Sequence, residues 1–499
     1  MITKTIAALA LVCGAGLGVA PSASAEPAQA GCDNRTNNTY EKVLECVRVE
    51  GVREHQAAFQ AIADANGGTR VSGSPGYDQS VEYAVGVFEA AGYDVTTQPF
   101  QFQTFIELSP TVLEQVSPFA GPVPTRIFSY SGSGDVTAPV TVVPNDGTPG
   151  CEPGDFAGFL AGTIALISRG ACTFAIKATN AAAAGAVGVI IYNNGPGTIN
   201  GTLGNGFTLD LPVTSVTQDV GLELSITPGL VMRLKTDTFR GIATTENVIA
   251  ETPGGDPDNV VMVGAHLDSV NAGPGINDNG SGSSAILEVA ETIQKLRPQN
   301  KVRFALWGAE ESGLVGSTYY VDNLSSEELD AIALYLNFDM VGSPNHIIGV
   351  YDGDESGFVA SAPVPPGSIE IEDTFEFFFT SIGEPYADAA FSGRSDYQAF
   401  INNGIPAGGL FTGAEGVKTD AQAAIWGGTA GVAYDPCYHQ ACDTYDNVSL
   451  HALDVNSDAI AYAVLRYAYS TEDVNGVVGR TVPGGFVVPD PAGPQSTVN

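Results

Sequence analysis

VVMVGAHLDSV (260–270), GINDNGSG (275–282), VRFALWGAEESGLVGS (302–317) and ALYLNFDM (333–340) decide how this chain reads. Three apolar runs inside them, Val260–Ala265, Val302–Trp307 and Ile332–Phe338, are rich in β-branched and aromatic residues and read as strands. Each runs out into residue types that bind metals: His266 after the first, Glu310 and Glu311 after the second, Asp339 after the third. Asp278 opens the helix-like stretch between the first two strands. In open α/β sheets, sites form outside the carboxyl ends of the strands. Buried Asp and Glu are rare unless paired or metal-bound, so packing does not account for this pattern.

Outside this stretch the chain divides by texture. Tyr40–Ala65 carries the apolar spacing of one or two amphipathic helices, stopped by Asn66-Gly67-Gly68. Tyr77–Ala91 reads as a further helix and Val95–Phe102 as a strand. From about residue 113 to 240, Gly, Pro, Thr and Val dominate. There Gly162–Arg169 and Gly188–Tyr192 read as strands and Thr173–Ala184 as an Ala-rich helix, so 113–240 is expected to be an inserted module. The first domain is expected to comprise 40–112 and 241–470, an α/β unit whose mostly parallel sheet is covered on both faces. Residues 471–499 are expected to form an irregular extension. Phe375–Phe379 (FEFFF) reads either as the lining of a side-chain pocket or as a buried strand.

The 499 residues suffice for two or three domains, and 44% hydrophobic content supports sizeable cores. A formal charge of −36 argues against nucleic acid or an anionic membrane surface as partner. Lys4, the apolar run Ile6–Ala20 and Ala23-Ser24-Ala25 have the form of a secretory signal peptide over 1–25, too short an apolar run for a membrane span. Beyond Cys13 in that leader stand Cys32, Cys46, Cys151, Cys172, Cys437 and Cys442. Six thiols allow 15 connectivities; closeness in sequence favours Cys32–Cys46, Cys151–Cys172 and Cys437–Cys442, in an oxidising compartment.

The ligand types are imidazole and carboxylate without thiolate, which suits zinc or another divalent ion. Late in the chain DPCYHQACD (435–443) encloses His439 in a loop that Cys437 and Cys442 can close. His266, Asp278, Glu311, Asp339 and His439 are too many ligands for one catalytic zinc. They fit two zincs sharing Asp278, one taking His266 and Asp339 and the other Glu311 and His439. Glu310 is then left unligated as the general base. Tyr438 is placed to hydrogen-bond an oxyanion, and Asp268 to orient the His266 imidazole.

These motifs, with NGGTRVSGSPGY (66–77), SGRSDYQAF (392–400) and DPCYHQACD, resemble the M28 family of zinc aminopeptidases, secreted bacterial members in particular. The segment from CEPGDFAG to GVIIYNN (151–194) resembles the protease-associated (PA) domain, which some M28 members carry as an insertion. The resemblance covers roughly 52–105 and 247–469. It implies a phosphorylase/hydrolase-like α/β fold, two zincs, and release of N-terminal residues from peptides and proteins with free N-termini. It also implies that Glu310, Asp339 and the backbone near Arg394 hold the substrate α-amine. Some members bind calcium through one N-terminal acid and two acids near the C-terminus. Asp454 and Asp458 match the latter, whereas the N-terminal position falls near Cys46 and Val47. A monomer is the expected state.

Other readings stand beside this one. A glutaminyl-cyclase-like enzyme works with one zinc. A carboxypeptidase needs a cation for the substrate carboxylate, for which Arg394 is the candidate. A catalytically inactive binding protein should have lost ligands or the base. No Gly-x-Ser-x-Gly elbow supports a serine hydrolase, and GSGSS (280–284) reads instead as a helix start that lets backbone approach the metals closely.

Overall fold

The three strands identified from the sequence lie side by side at the centre of one continuous sheet, as Asp256–His266, Asn300–Trp307 and Ile332–Phe338. The computed structural model describes residues 27–498 except 196, 200 and 486–488. The leader expected over 1–25 lies outside the described residues. Asp256–His266 is central and pairs in parallel with both neighbours. Ala407–Phe411 continues the parallel set beside Ile332–Phe338. Gly349–Tyr351 runs antiparallel to Ala407–Phe411 and parallel to Ala387–Ala389.

Both faces of the central strands are buried, and their side chains sort by alternation. Val261, Val263, Phe304, Leu334 and Leu336 pack under the helices Val49–Ala65, Pro75–Ala90, Gly280–Ile293 and Leu450–Tyr469. Val260, Met262, Trp307, Tyr335 and Phe400 fill the core of the opposite face. Residues 40–65 form two helices, Tyr40–Cys46 and Val49–Ala65, separated at Val47, whose backbone is extended.

Two long strands, Asp94–Ser117 and Val231–Glu251, pair antiparallel along nearly their whole length. One end of this ribbon borders Asn300–Trp307, and the other pairs with Gly134–Val142. From there Ile164–Ser168, Gly188–Tyr192 and Val213–Val216 build a small parallel sheet over its own core, with the helices Phe174–Ala183 and Gln218–Ser225. Disulfides join Cys32 to Cys46, Cys151 to Cys172 and Cys437 to Cys442.

Two expectations need correction. FEFFF lies in the helix Ser368–Ile382, with Ile371, Thr374, Phe375, Phe378 and Phe379 buried at helical spacing. The tail is not irregular throughout. Glu472–Asn475 is a short helix, and Ser496–Val498 adds a parallel strand beside Ala387–Ala389. The bond from the Ala390 N–H to the Val498 carbonyl (3.1 Å) and the capture of Ser496 and Thr497 by the Gln422 amide hold it there. A short edge strand with a free backbone ladder is a ready acceptor for such a segment.

Candidate active site

His266 is the last residue of its strand, and the turn after it is fixed from below by Arg70. This guanidinium is fully buried and bonds the carbonyls of Leu267, Pro274 (2.9 Å) and Gly275 (2.7 Å). A charged fork spent on backbone carbonyls sets the path from His266 to Asp278. Asn279 then caps Gly280–Ile293, accepting the Gly282 N–H (2.9 Å) and donating to the Phe338 carbonyl (2.9 Å). The Gly-Ser run serves this contact: a Cβ on Gly282 would come within 2.2 Å of the Phe338 oxygen. The close approach expected there is thus made to the neighbouring strand.

Asp278 is 5% exposed and divides its two oxygens between two imidazoles. Its Oδ1 is 3.3 Å from His266 Nε2, and its Oδ2 is 3.1 Å from His439 Nε2. Asp339 Oδ1 stands 3.4 Å from His266 Nε2, and Glu311 Oε2 stands 3.0 Å from His439 Nε2. Two triads result, His266/Asp278/Asp339 and Asp278/Glu311/His439, and within each the candidate ligand atoms lie within 4.8 Å of one another. His439 reaches in from the Cys437–Cys442 loop with a φ of 55°.

The electrostatics favour a cation. Burial works against charge on His439, yet Glu311 and Asp278 push its pKa up to about 10. His266 also lies well above its ordinary value, burial being outweighed by Glu310 and Asp339 and by its bonds to Asp268 and Asp278. Glu310 is pushed well up by burial, then by Glu311, Asp396 and Asp339 against the pull of His266. Glu311 Oε1 and Asp339 Oδ1 are buried without a hydrogen-bond partner. Two imidazoles do not neutralise this many carboxylates, and orphaned buried oxygens are costly. The donor set fits divalent ions of the zinc type.

The remaining candidates surround this centre. Glu310 is 8% exposed, with Oε2 3.9 Å from His266 Nε2. Asp268 stands behind His266, its carbonyl 3.2 Å and its Oδ1 3.6 Å from Nδ1; the same Oδ1 accepts the Glu310 N–H (3.2 Å). Tyr438 stacks on His439 and accepts a hydrogen bond from Arg394 (3.1 Å), whose guanidinium also pairs with Glu415 (2.9 Å). Glu310, Tyr438, Arg394 and Glu415 line one pocket with Met340, Tyr351, Phe411 and Val498, and Asp268 stands behind it. Asp454 and Asp458 lie on Leu450–Tyr469, away from it. Among the described residues they belong to no group of three potential ligands.

Several supporting residues escaped the sequence reading. Ser395 donates to Asp339 Oδ2 (2.6 Å) and is itself held by Asn337 (2.9 Å). Asp443 accepts the N–H groups of Asn277 (2.8 Å) and Asp278 (3.0 Å). Both sit inside motifs quoted for the resemblance, SGRSDYQAF and DPCYHQACD, which was the one signal available.

Residues 247–464 match the peptidase family M28, and residues 136–224 match the PA domain. An aminopeptidase of Pseudomonas aeruginosa is 48% identical over 445 residues, covering 86% of this chain and 83% of that protein. The chain belongs to peptidase family M28. In structure it is similar to an aminopeptidase from Aneurinibacillus sp. strain AM-1 (TM-score 0.70, 29% identity, 92% of this chain and 100% of that one). It is also similar to a zinc aminopeptidase from Bacillus subtilis (TM-score 0.63, 27% identity, 84% and 94%). This M28 chain is accordingly an enzyme of the aminopeptidase class carrying a PA domain, and its mixed, mostly parallel sheet is that of the family's solved members. No helix among the described residues is long and apolar enough to cross a membrane.

Proposed function

We propose that this M28 chain is a secreted dizinc aminopeptidase that hydrolyses the N-terminal residue from peptides, with Glu310 as general base. The observation that carries the reading is the division of Asp278 between His266 and His439. His266 and Asp339 would hold one zinc and Glu311 and His439 the other, both sharing Asp278. When bound, such a pair lowers the pKa of water and polarises the scissile carbonyl. The leader-like residues 1–25 and three disulfides support secretion.

The chain's own residues supply the rest. Among the described residues no Lys or Arg pairs with Glu310, so its carboxylate is free to take the proton of the attacking water and return it to the leaving amine. Together with Asp339 it presents negative charge to the substrate α-ammonium, which selects free N-termini. Tyr438 receives the Arg394 N–H on its oxygen, leaving its own O–H to donate to the tetrahedral oxyanion. Burial raises the Tyr438 pKa well above its ordinary value, so the phenol keeps that proton. Met340, Tyr351 and Phe411 give the pocket an apolar wall, suited to an apolar N-terminal side chain.

Hydrolysis of a panel of aminoacyl-p-nitroanilides by wild type and Glu310→Ala, with zinc counted per chain, tests this reading. The expected result is the same zinc content in both proteins, about two of the ions held at the pocket, a loss of at least about 10²-fold in kcat for the variant, and no cleavage of N-blocked substrates. One zinc at the pocket, or activity confined to N-blocked peptides, would turn the assignment toward the cyclase or carboxypeptidase branch.

A further inference from the structure

A second convergence of an imidazole and carboxylates lies well away from the catalytic pocket, between the packed helices Val49–Ala65 and Gly280–Ile293. His55 comes from the first helix, Glu288 and Glu291 from one face of the second. His55 and Glu288 are only 5% and 8% exposed. His55 Nε2 is 3.3 Å from Glu291 Oε2, and one ligand atom from each of the three residues lies within 4.8 Å of the others. Counting along the helix from Asn279, Glu288 is about 13 Å from the catalytic end.

The surroundings prepare these groups for an ion. His55 Nδ1 is hydrogen-bonded to the Tyr83 hydroxyl (2.7 Å), which leaves Nε2 to face the carboxylates. Such a partner on the far nitrogen fixes the orientation of a metal-binding imidazole. Glu288 folds its carboxylate against Gly51, one turn before His55, and a Cβ at position 51 would lie 2.2 Å from Glu288 Oε2. Glycine inside a helix is destabilising, and here its bare Cα makes the cradle in which a buried carboxylate sits. Glu288 Oε1 accepts the Arg48 N–H (3.3 Å) at the start of the first helix, while Oε2 is the oxygen nearest that glycine. The Glu291 side chain, 43% exposed, leaves the group open to solvent.

We propose that His55, Glu288 and Glu291 form a further divalent-metal site that clamps the two helices, taking Zn2+ or a similar borderline ion. The imidazole and carboxylate donors suit that class rather than a soft ion. Glutamates one turn apart facing a ligand from a packed helix are a recurrent way of building such sites. Three protein ligands leave further positions to water, so the ion exchanges with the medium and stabilises the fold by mass action.

The test is zinc binding by the full-length protein, with Zn2+ itself as probe. Wild type, Glu291→Gln and His55→Gln are equilibrated at micromolar Zn2+, freed of unbound ion, and their zinc counted by mass spectrometry. Thermal melts are recorded with and without added Zn2+. Wild type is expected to hold one zinc more than either variant, and its zinc-dependent rise in Tm is expected to vanish in both. The difference between proteins carries the result, so it stands whatever the catalytic pocket binds. Glu291→Gln changes a half-exposed side chain and keeps its shape, so it serves alone if His55→Gln does not fold. Equal zinc counts in wild type and Glu291→Gln, with the same response of Tm to zinc, would overturn the proposal.

Discussion

Ser395 would support the proposed metal centre without itself being a ligand. Its hydroxyl donates to one oxygen of Asp339 and leaves the other oxygen pointing at His266. Behind it, Asn337, Tyr335 and Trp307 continue a buried chain of hydrogen bonds. Ser395→Ala is therefore expected to lower zinc affinity or kcat by about 10–100-fold, read by titrating activity against buffered free zinc. An unchanged titration would show that Asp339 is oriented by packing alone. The candidate ligands stood out because His266, Glu311 and Asp339 come at or after the ends of strands whose apolar runs announce them, Asp278 precedes a helix, and His439 stands between two cysteines. Ser395, Asn337 and Asp443 did not. A single Ser, Asn or Asp carries no periodicity, and what it bonds is fixed only by the fold.

Elements were legible where one period dominated. The three central strands and the helices around residues 50 and 80 follow the pattern of their apolar residues closely. FEFFF misled because a dense aromatic run satisfies strand and helix alike; the Ile371–Phe375–Phe378–Phe379 stripe against the sheet core resolves it as helix. The tail misled for the opposite reason. Its Gly- and Pro-rich lead has no pattern, and the strand Ser496–Val498 exists only because Ala387–Ala389 offers an edge. Val498 thereby lines the catalytic pocket. Ending the chain after Asp490 is expected to lower KM for substrates with bulky N-terminal residues and leave kcat unchanged. A tail held by about 1.4 kcal/mol would raise KM about tenfold. Steady-state kinetics of the shortened protein decide this, and an unaltered KM would mean the tail and substrate do not compete.

At the scale of the whole molecule, acidity governs behaviour with pH. Away from the catalytic centre, Glu372, Glu376 and Asp388 are buried together. Burial first, then neighbouring carboxylates, pushes their pKa values up to about 9, about 7 and about 6. Folded-state values raised above those of the unfolded chain mean that the folded protein binds more protons. The stability they contribute is full below the ordinary carboxylate range and is lost as pH rises through about 6 to 9. The thermal midpoint is expected to fall over that window, and Glu376→Gln is expected to flatten the decline. A Tm flat from pH 5 to 9 would show that a bound cation or relaxation neutralises the cluster. The net charge of −36 acts in the same direction, since self-repulsion grows as the last protons leave.

The paired strands Asp94–Ser117 and Val231–Glu251 give the chain an unusual economy of wiring. Val95 lies opposite Ala250 and Phe102 opposite Ala243, so the backbone departs from the catalytic sheet and returns to it on adjacent tracks. Everything between Ser117 and Val231 is, to that sheet, the tip of one hairpin. A module grafted at a hairpin tip leaves every register behind it untouched. It can be lengthened, exchanged or removed over evolutionary time without asking the peptidase half to refold around the change.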